Sequence, residues 1–387
     1  MTQVRVMRVL HLHSGNMYGG VETLLATLVR EASAAPGMSP DIALCFPGPL
    51  SAELEAMGHP AHMLGPVRLS RPFSLLKARH GLRRLLREHA FDAVICHQPW
   101  ACVAFGPVVR AAGFPVVLWV HMAVEGGALL DRLAGRVRPD LAICNSEYTR
   151  ARVRRWLPNV HTEVVYGPVS AAALSAGAAS RDEIRASLDT PSGHTVVVMA
   201  SRLDAMKGHR VLLSALERLR QLPDWTCWIV GGAQGPDEEI YERELRQAVR
   251  VFGLEARVRF TGRRGDVPAV LRAADIYCQP NTAPDAFGLS FVEALHAGLP
   301  VVTSGIGGAL EIVDRDCGYL LPPGDEDALT DALRALIVDA DGRARMGRAA
   351  RCRPAVICDP RAEMRRLQQV LAAHPPAVEE PLALLAG

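Results

Sequence analysis

The chain has 387 residues, which is enough for two or three domains and excludes a small disulfide-stapled module. Hydrophobic residues make up 49% and charged residues 22%, the profile of a folded globular protein rather than a disordered chain. The net charge of +2 conceals an asymmetry, because residues 1–170 carry 18 basic against 12 acidic side chains and residues 171–387 carry 25 against 29.

The first apolar stretch, residues 6–12, predicts a strand rather than a targeting segment. Arg5 and Arg8 interrupt it and no small-residue cleavage site follows, so neither a signal peptide nor a spanning helix is predicted. The nine cysteines form no CxxC pair and most of them lie in apolar runs, which predicts buried thiols in a reducing compartment. We therefore expect a cytoplasmic protein.

Strands and helices alternate through the first part of the chain. Further strands are predicted at 42–46, 93–96, 116–120 and 141–144, with amphipathic helices that include 21–32 and 75–88. This alternation is typical of a parallel sheet covered on both faces. Residues 167–179, GPVSAAALSAGAA, are almost all small and predict a hinge.

The alternation then resumes. Ser180 and Glu183 predict a capped helix start; strands follow at 195–200, 227–230, 258–260, 276–279 and 301–302, with helices at 211–221, 238–252, 267–274 and 291–297. The sequence thus predicts two α/β domains, residues 1–170 and 171–360, followed by a C-terminal helix and tail over 361–387. In such sheets ligands bind beyond the carboxyl ends of the strands.

Two loops at strand ends could hold a phosphate. Gly19 and Gly20 stand directly before a helix, whose free amides attract anions, although a plain tight turn explains the pair equally well. Arg202 and Lys207 follow the first strand of the second domain, and Lys207 is one of only two lysines beside 41 arginines. A lysine there indicates a need for a compact ammonium group, the alternative being a surface ion pair of Arg202.

The segment 281–302, NTAPDAFGLSFVEALHAGLPVV, carries two acidic residues around a predicted helix start near Gly288. Asp285 lies before the helix and Glu293 lies inside it, so both carboxylates could accept hydroxyl groups while the amides at 288–290 face an anion. A capping Asp and a solvated Glu are the alternative. That alternative leaves the apolar surroundings of Glu293 unexplained.

These motifs, together with FTGRRGDV and GGALEIV followed by GYLLPPGD, resemble in their order the retaining glycosyltransferases of the fourth family over residues 6–335. The resemblance implies the GT-B fold, two Rossmann-like doubly wound domains with an interdomain cleft. It also implies a nucleotide-diphosphate sugar donor bound mainly by the second domain and an acceptor that enters from the first.

The resemblance also implies a role for each matching residue. The implied catalytic residues are His121, Asp285, Arg202 and Lys207; the implied donor-binding residues are Gly19, Gly20, Arg202, Lys207, Phe287, Gly288, Leu289 and Glu293. In this assignment Arg202, Lys207 and Gly20 hold the diphosphate, Glu293 accepts the ribose hydroxyls, and His121 and Asp285 face the donor sugar. Asn145 and Ser146 match a further family motif and are interpreted as architectural.

The sequence departs from the family at four places. The first acidic residue of the pair is usually Glu and is Asp285 here. The loop after His121, MAVEGGALLD, lacks the particular acidic residue that often follows the histidine in the family, and Tyr166–Pro168 replaces an Asn-Gly near the hinge. Beyond Cys352 the match is poor. Whether a helix near 362–371 crosses onto the first domain is therefore open.

Other functions are less well supported. Asp314-Arg315-Asp316 resembles the Asp-x-Asp metal motif of a single-domain glycosyltransferase fold, but its position predicts a solvated turn, and the acids at 325–327 predict a helix start. We expect no metal or other cofactor. A dinucleotide enzyme is disfavoured because GxGxxG is absent, whereas a non-catalytic nucleotide-sugar binder remains an alternative.

Residues 68–88 carry a leucine stripe flanked by arginines and Lys77. The pattern could contact the inner face of an anionic membrane, or an acidic acceptor. The favoured interpretation is a helix packed on the first sheet with a solvated basic face. No nucleic-acid partner is expected, and the acceptor and the nucleotide are not identified by the sequence.

Overall fold

The computed structural model describes residues 6–15, 19–169 and 179–374. It divides the chain into two compact units: residues 1–170 with 358–387, and residues 171–357. The predicted hinge falls largely on residues 170–178, which lie outside the described residues.

Unit one is built on a seven-stranded sheet in which all paired strands are parallel. The strands are β1 (Met7–His13), β2 (Met38–Leu44), β3 (His62–Met63), β4 (Ala93–His97), β5 (Val117–Val120), β6 (Leu141–Cys144) and β7 (His161–Val164). They lie in the order β3-β2-β1-β4-β5-β6-β7. The helices of this unit are α1 (Gly20–Arg30), α2 (Pro49–Ala56), α3 (Pro72–Glu88), α4 (Gln98–Ala111), α5 (Leu129–Val137) and α6 (Glu147–Trp156), with α15 (Pro360–Ala372) near the C-terminus.

Unit two has a six-stranded parallel sheet in the order β10-β9-β8-β11-β12-β13. Its strands are β8 (Thr195–Ala200), β9 (Trp225–Val230), β10 (Val258–Gly262), β11 (Ile276–Gln279), β12 (Val301–Ser304) and β13 (Gly318–Leu321). Its helices are α7 (Arg181–Ser187), α8 (His209–Arg218), α9 (Pro236–Val251), α10 (Val267–Ala273), α11 (Leu289–Ala297), α12 (Ala309–Ile312), α13 (Glu326–Val338) and α14 (Ala340–Ile357). The prediction of two doubly wound α/β sheets is confirmed.

The C-terminal helix α15 belongs to unit one, which answers the question that the sequence left open. Its apolar face, with Met364 and Leu367 fully buried, joins the core that contains Val9 of β1. Glu363 accepts a hydrogen bond of 2.7 Å from the amide of Tyr166. Unit two therefore ends at Ile357, three residues before the predicted 360.

Local signals located most of the elements. The predicted capping box forms, since the Ser180 hydroxyl accepts from the amide of Glu183 at the start of α7. Helix α4 was not predicted: Pro107 lies inside it, and proline is a poor signal for a helix interior. Strand β2 begins at Met38 rather than 42, because residues 38–41 also pair with β1, although their sequence, MSPD, has no apolar strand pattern.

Both sheets reverse their strand order beside their first strand. In unit one β1 lies between β2 and β4, and in unit two β8 lies between β9 and β11. Loops that leave β1 and β4, or β8 and β11, turn to opposite faces of the sheet and open a crevice between them. These two switch points hold most of the residues that the sequence singled out.

Candidate functional site

Lys207 and Asp285 form a largely buried ion pair at the switch point of unit two. The Lys207 Nζ donates to both carboxylate oxygens of Asp285, at 2.6 and 2.8 Å, and the two side chains are only 15% and 16% exposed. The side-chain amides of Asn281 and Gln279 donate to the Oδ2 of Asp285 at 2.8 and 3.3 Å. The carboxylate thus holds the ammonium group in a defined position.

Backbone contacts between the loops after β8 and β11 bring this pair together. The carboxylate of Asp204 accepts from the amide of Met206 and starts the 3-10 turn Ala205–Lys207. The carbonyl of Met206 then accepts from the amide of Thr282 at 2.8 Å. Gly208 has a φ of +83°, and a Cβ there would lie 1.8 Å from the carbonyl oxygen of Pro280, so only glycine fits.

The glycine pair of the GGALEIV motif supports the Asp285 loop. The amide of Gly308 donates to the carbonyl of Asp285 at 3.0 Å. A Cβ at Gly307 would lie 2.3 Å from that carbonyl oxygen, and a Cβ at Gly308 would lie 2.4 Å from the carbonyl oxygen of Phe287. The motif therefore positions residues 285–287 rather than providing a side chain to a ligand.

Arg202 is a more exposed cation on the same loop as Lys207. Its side chain is 47% exposed, and its contacts to Asp204 and Glu238 are long, at 3.5 and 3.9 Å. Exposed ion pairs of this kind contribute little stability. The guanidinium group can therefore turn toward an anion at low cost.

Glu293 and the start of α11 complete this site. Gly288 has a φ of +108° and precedes the helix, whose first amides have no partner within the helix. The side chain of Glu293 makes no hydrogen bond within the part of the chain that the structure describes, and burial raises the pKa of its carboxyl to about 7. The oxygens of this side chain are available to hydroxyl groups, and the group is mainly a carboxylate only above about pH 7.

Unit one places histidines at its own switch point. The Nε2 of His121 lies 2.9 Å from the Nδ1 of His97, and the Nε2 of His97 lies 2.9 Å from the Nδ1 of His11. The rings of His97 and His121 are parallel to within 4° with their centroids 5.1 Å apart, and the ring centroid of Trp119 lies 5.3 Å from each of theirs. His11 and His97 are buried, whereas His121 is partly exposed.

Glu22 holds the Gly19–Gly20 turn and also contacts His13, a further histidine of unit one. The carboxylate of Glu22 accepts from the amide of Gly19 at 3.0 Å and contacts the Nε2 of His13 at 2.7 Å. The amide of Gly19 is therefore already engaged, and Gly20 is the first residue of α1. Residues 16–18 of this loop lie outside the described residues.

The structure brings together some of the predicted residues and adds others. Lys207 and Asp285 meet directly, and Arg202 shares the loop of Lys207. Sequence reasoning did not predict the histidine contacts of His121, the contact between His13 and Glu22, or the amide donors to Asp285. The histidines had a usable signal, because His11, His13, His97 and His121 all stand near the ends of apolar runs.

The two acidic motifs at 314–316 and 325–327 have structural roles. Asp314 accepts from the amides of Asp316 and Cys317 and closes a turn, as predicted. Asp325 caps α13 by accepting from the amide of Ala328, also as predicted. Within the described residues no group of three or more His, Cys, Asp or Glu side chains could hold a metal ion.

Asn145 and Ser146 are architectural, as interpreted from the sequence. Ser146 caps α6 by accepting from the amide of Thr149, and the Thr149 hydroxyl donates to the side chain of Asn145. The cysteines are free; all except Cys352 are buried, which confirms the prediction of buried thiols.

Residues 72–88 form helix α3, which packs on unit one as the favoured interpretation of the leucine stripe predicted. Leu82 and Leu85 are buried in the core of unit one, and the guanidinium group of Arg79 donates to the carbonyls of Val103 and Ala104 on α4. Arg79 is therefore not part of an exposed basic face, which corrects that part of the pattern. Phe73 and Leu76 of α3 do not pack into the core of unit one, since their side chains are 85% and 57% exposed.

Exposed basic residues also lie on α3, at Lys77, Arg83, Arg84 and Arg87, and directly before it, at Arg71. None of the helices in the described ranges has the length and apolar character needed to cross a membrane.

Two sequence families match the chain. The family described as glycosyl transferases group 1 matches residues 180–353, and glycosyltransferase family 4 matches residues 18–172. The two matches together cover the sheets of both units except β1, which precedes residue 18.

Curated relatives include lipid mannosyltransferases. The chain is 30% identical to a phosphatidyl-myo-inositol mannosyltransferase of Mycobacterium leprae over 264 residues, 66% of this chain and 67% of the relative. It is 30% identical to a GDP-mannose-dependent alpha-(1-6)-phosphatidylinositol monomannoside mannosyltransferase of Mycolicibacterium smegmatis over 305 residues, 74% of this chain and 77% of the relative.

Solved structures show the same fold. The Anabaena HepE protein in complex with UDP-glucose superposes with a TM-score of 0.82 at 25% identity, covering 95% of this chain and 100% of that one. A sucrose-phosphate synthase of Thermosynechococcus elongatus superposes with a TM-score of 0.74 at 19% identity, covering 95% of this chain and 98% of that one.

Proposed function

The chain belongs to glycosyltransferase family 4 and is a glycosyltransferase of the GT-B fold; on this premise we propose that it transfers a hexose from a nucleotide-diphosphate sugar to an acceptor hydroxyl, with retention of anomeric configuration and without a metal ion. The observation that carries the proposal is the arrangement of Lys207, Arg202 and the start of α11 at one switch point.

These groups match the charge that develops when a nucleoside diphosphate leaves. Lys207 has three N–H donors and directs them to two oxygens of Asp285, so a remaining donor can reach a phosphate oxygen without breaking the pair. Arg202 and the first amides of α11 add positive charge. Fixed positive groups stabilise the departing diphosphate more than the bound donor, which lowers the barrier.

In the proposed reaction the bond between the anomeric carbon and the diphosphate oxygen breaks. The acceptor oxygen forms its new bond to that carbon on the same face. The proton of the acceptor hydroxyl passes to the departing phosphate oxygen, so atoms and charge balance without a separate base. Glu293 accepts the ribose hydroxyls, while Asp285 and His121 lie toward the sugar, as the family resemblance implies.

The relatives guide the choice of donor and acceptor. Relatives are named as GDP-mannose-dependent and as acting on phosphatidylinositol derivatives, and a structural neighbour was solved with UDP-glucose. We therefore propose GDP-mannose as the donor and a phosphoinositol lipid as the acceptor class. An acceptor of this kind lies at a membrane surface, and we propose that α3 contacts that surface through Phe73 and Leu76.

Transfer assays test the enzymatic proposal. The protein is incubated with GDP-mannose, or UDP-glucose in parallel, and a phosphoinositol lipid in vesicles, with and without EDTA, and released nucleotide diphosphate and product are measured. We expect release that persists in EDTA and a product that keeps the anomeric configuration. Abolition by EDTA with recovery on adding Mn²⁺ would contradict metal independence, and tight donor binding without release would favour the non-catalytic binder.

Vesicle sedimentation tests the membrane contact separately. We expect binding to vesicles rich in phosphatidylinositol but not to neutral vesicles, and loss of binding in Phe73→Ser/Leu76→Ser. Val356→Ser is the matched control, since Val356 is 77% exposed and lies on unit two. Equal binding by both variants would remove α3 from the proposal without affecting the transfer reaction.

A further inference from the structure

The three imidazoles of unit one form one continuous hydrogen-bonded chain. The two bonds, His11 to His97 and His97 to His121, are both 2.9 Å long. A neutral imidazole carries a single N–H, so the two bonds must run in the same direction. Either all three rings are protonated at Nδ1, or all three are protonated at Nε2.

The inner end of the chain distinguishes these two states. The Nε2 of His11 is buried and has no hydrogen-bond partner in the described part of the protein. A buried N–H without a partner is rare and costs free energy, and a buried lone pair is better tolerated. The favoured state therefore has a lone pair at the Nε2 of His11 and an N–H at the Nδ1 of His121, the partly exposed end.

The surroundings keep the chain neutral. Burial lowers the pKa of His121 and of His11 to about 3, and burial together with the neighbouring histidines lowers the pKa of His97 well below its usual range. Asp41, which acts on His11 through its charge, is paired with Arg8. His13, whose ring centroid lies 6.3 Å from that of His97, contacts Glu22. Among the described residues no carboxylate contacts the three rings, so each ring is neutral and carries one N–H at neutral pH.

We propose that His97 is a positioning residue that holds His121 as its Nδ1–H tautomer, so that His121 presents an N–H donor rather than a basic nitrogen to the donor sugar. The Nε2 lone pair of His121 is occupied, because it accepts from the Nδ1–H of His97. His121 then recognises a sugar oxygen by donating to it and cannot take a proton at Nδ1. The placement of the sugar beside His121 rests on the proposed function; the tautomer does not.

Nitrogen NMR on the ligand-free protein with ¹⁵N-labelled histidine tests the tautomer directly. We expect His11, His97 and His121 each to show a protonated Nδ1 and an unprotonated Nε2, unchanged between about pH 6 and 8. A protonated Nε2 on His121, or titration of any of the three rings in that range, would overturn the proposal. This result does not depend on whether transfer is observed.

Two variants test the positioning role. His97→Phe keeps a ring beside Trp119 but removes the donor to His121, whereas His97→Asn places an amide near the position of Nδ1. We expect His97→Phe to show both tautomers of His121 and to lower kcat roughly tenfold, the worth of one hydrogen bond, with unchanged affinity for GDP. His97→Asn should recover most of the lost kcat.

Thermal unfolding establishes that both variants are folded. A folded His97→Phe with the wild-type kcat, or equal losses in the two variants, would assign His97 to packing alone and overturn the positioning role. If His97→Phe does not fold, the NMR result on the wild-type protein still decides the tautomer. If no donor gives transfer, the proposed function fails while the tautomer measurement stands.

Discussion

The two switch points occupy equivalent places in two similar sheets, yet their chemistry is opposite. Between β8 and β11 the structure holds an ion pair, Lys207 with Asp285, and a second cation, Arg202. Between β1 and β4 it holds the imidazole rings of His11 and His97, which hydrogen-bond to each other and, from His97, to His121. Fixed positive charge stabilises a diphosphate, whereas an uncharged N–H donor can orient a ligand oxygen without adding charge. The comparison shows that equivalent places in the two sheets carry charged side chains in unit two and hydrogen-bonded imidazole rings in unit one.

The two sites are also held in place differently. In unit two backbone contacts set the loops, as at Gly208, where a side chain would collide with Pro280. In unit one the side chains hold each other through hydrogen bonds between the rings. Substitutions at the first site should therefore affect charge and backbone geometry, and those at the second should affect hydrogen-bond direction.

The largest effect is expected from Lys207→Met, which leaves the carboxylate of Asp285 without its cation. Breaking a largely buried pair should lower the free energy of unfolding by about 2–4 kcal/mol, and transfer should be lost. The double variant Lys207→Met/Asp285→Leu should recover most of the stability and none of the transfer. Chemical denaturation and transfer assays measure both. A Lys207→Met protein as stable as the wild type would show that the pair does not stabilise unit two.

The next largest effect is expected from Gly208→Ala, which should lower the free energy of unfolding by roughly 2–4 kcal/mol. Gly193→Ala is the matched control, because Gly193 has a φ of +82° but a Cβ added there would meet nothing within 4 Å, against +83° and 1.8 Å at Gly208. Gly193→Ala should lower the free energy of unfolding by only about 1 kcal/mol, because the alanine must adopt a left-handed backbone but meets no neighbouring atom. If denaturation gives the same decrease in the free energy of unfolding for Gly208→Ala and Gly193→Ala, the close approach of Gly208 to Pro280 is contradicted.

Asp285→Asn should separate binding from transfer. The variant removes the negative charge but keeps the shape, so Lys207 can turn fully toward a diphosphate. We expect GDP to bind several-fold more tightly by calorimetry, and transfer to fall by about 10- to 100-fold because the sugar contact and the position of Lys207 are lost. Unchanged transfer would contradict both roles of Asp285.

The smallest effect is expected from Glu293→Gln and depends on pH. Glu293 keeps its proton up to about pH 7 in the folded protein, whereas its pKa in the unfolded chain is the ordinary 4.5. The free energy of unfolding therefore decreases as the pH rises from about 4.5 through 7, because the folded protein must then bury a charged carboxylate. At pH 8 the variant should therefore unfold about 2–4 °C above the wild type, with the difference shrinking toward pH 4.5. GDP should bind more weakly to it at pH 8. A difference in Tm that does not change with pH would contradict the raised pKa.

Local sequence patterns determined the strand and helix alternation, the cap at Ser180 and the two strand-end loops that carry Arg202, Lys207 and Asp285. They did so because apolar periodicity and capping act within a few residues. The unusual Lys207 and the apolar setting of Glu293 were visible for the same reason.

Only the tertiary structure decided which of these groups meet. Lys207 and Asp285 are 78 residues apart, and His11 and His97 are 86 apart. Their contacts depend on strand order, which places β8 beside β11 and β1 beside β4, and apolar periodicity does not encode that order. The same holds for α15, whose apolar face matches the core of unit one although it follows unit two in the chain.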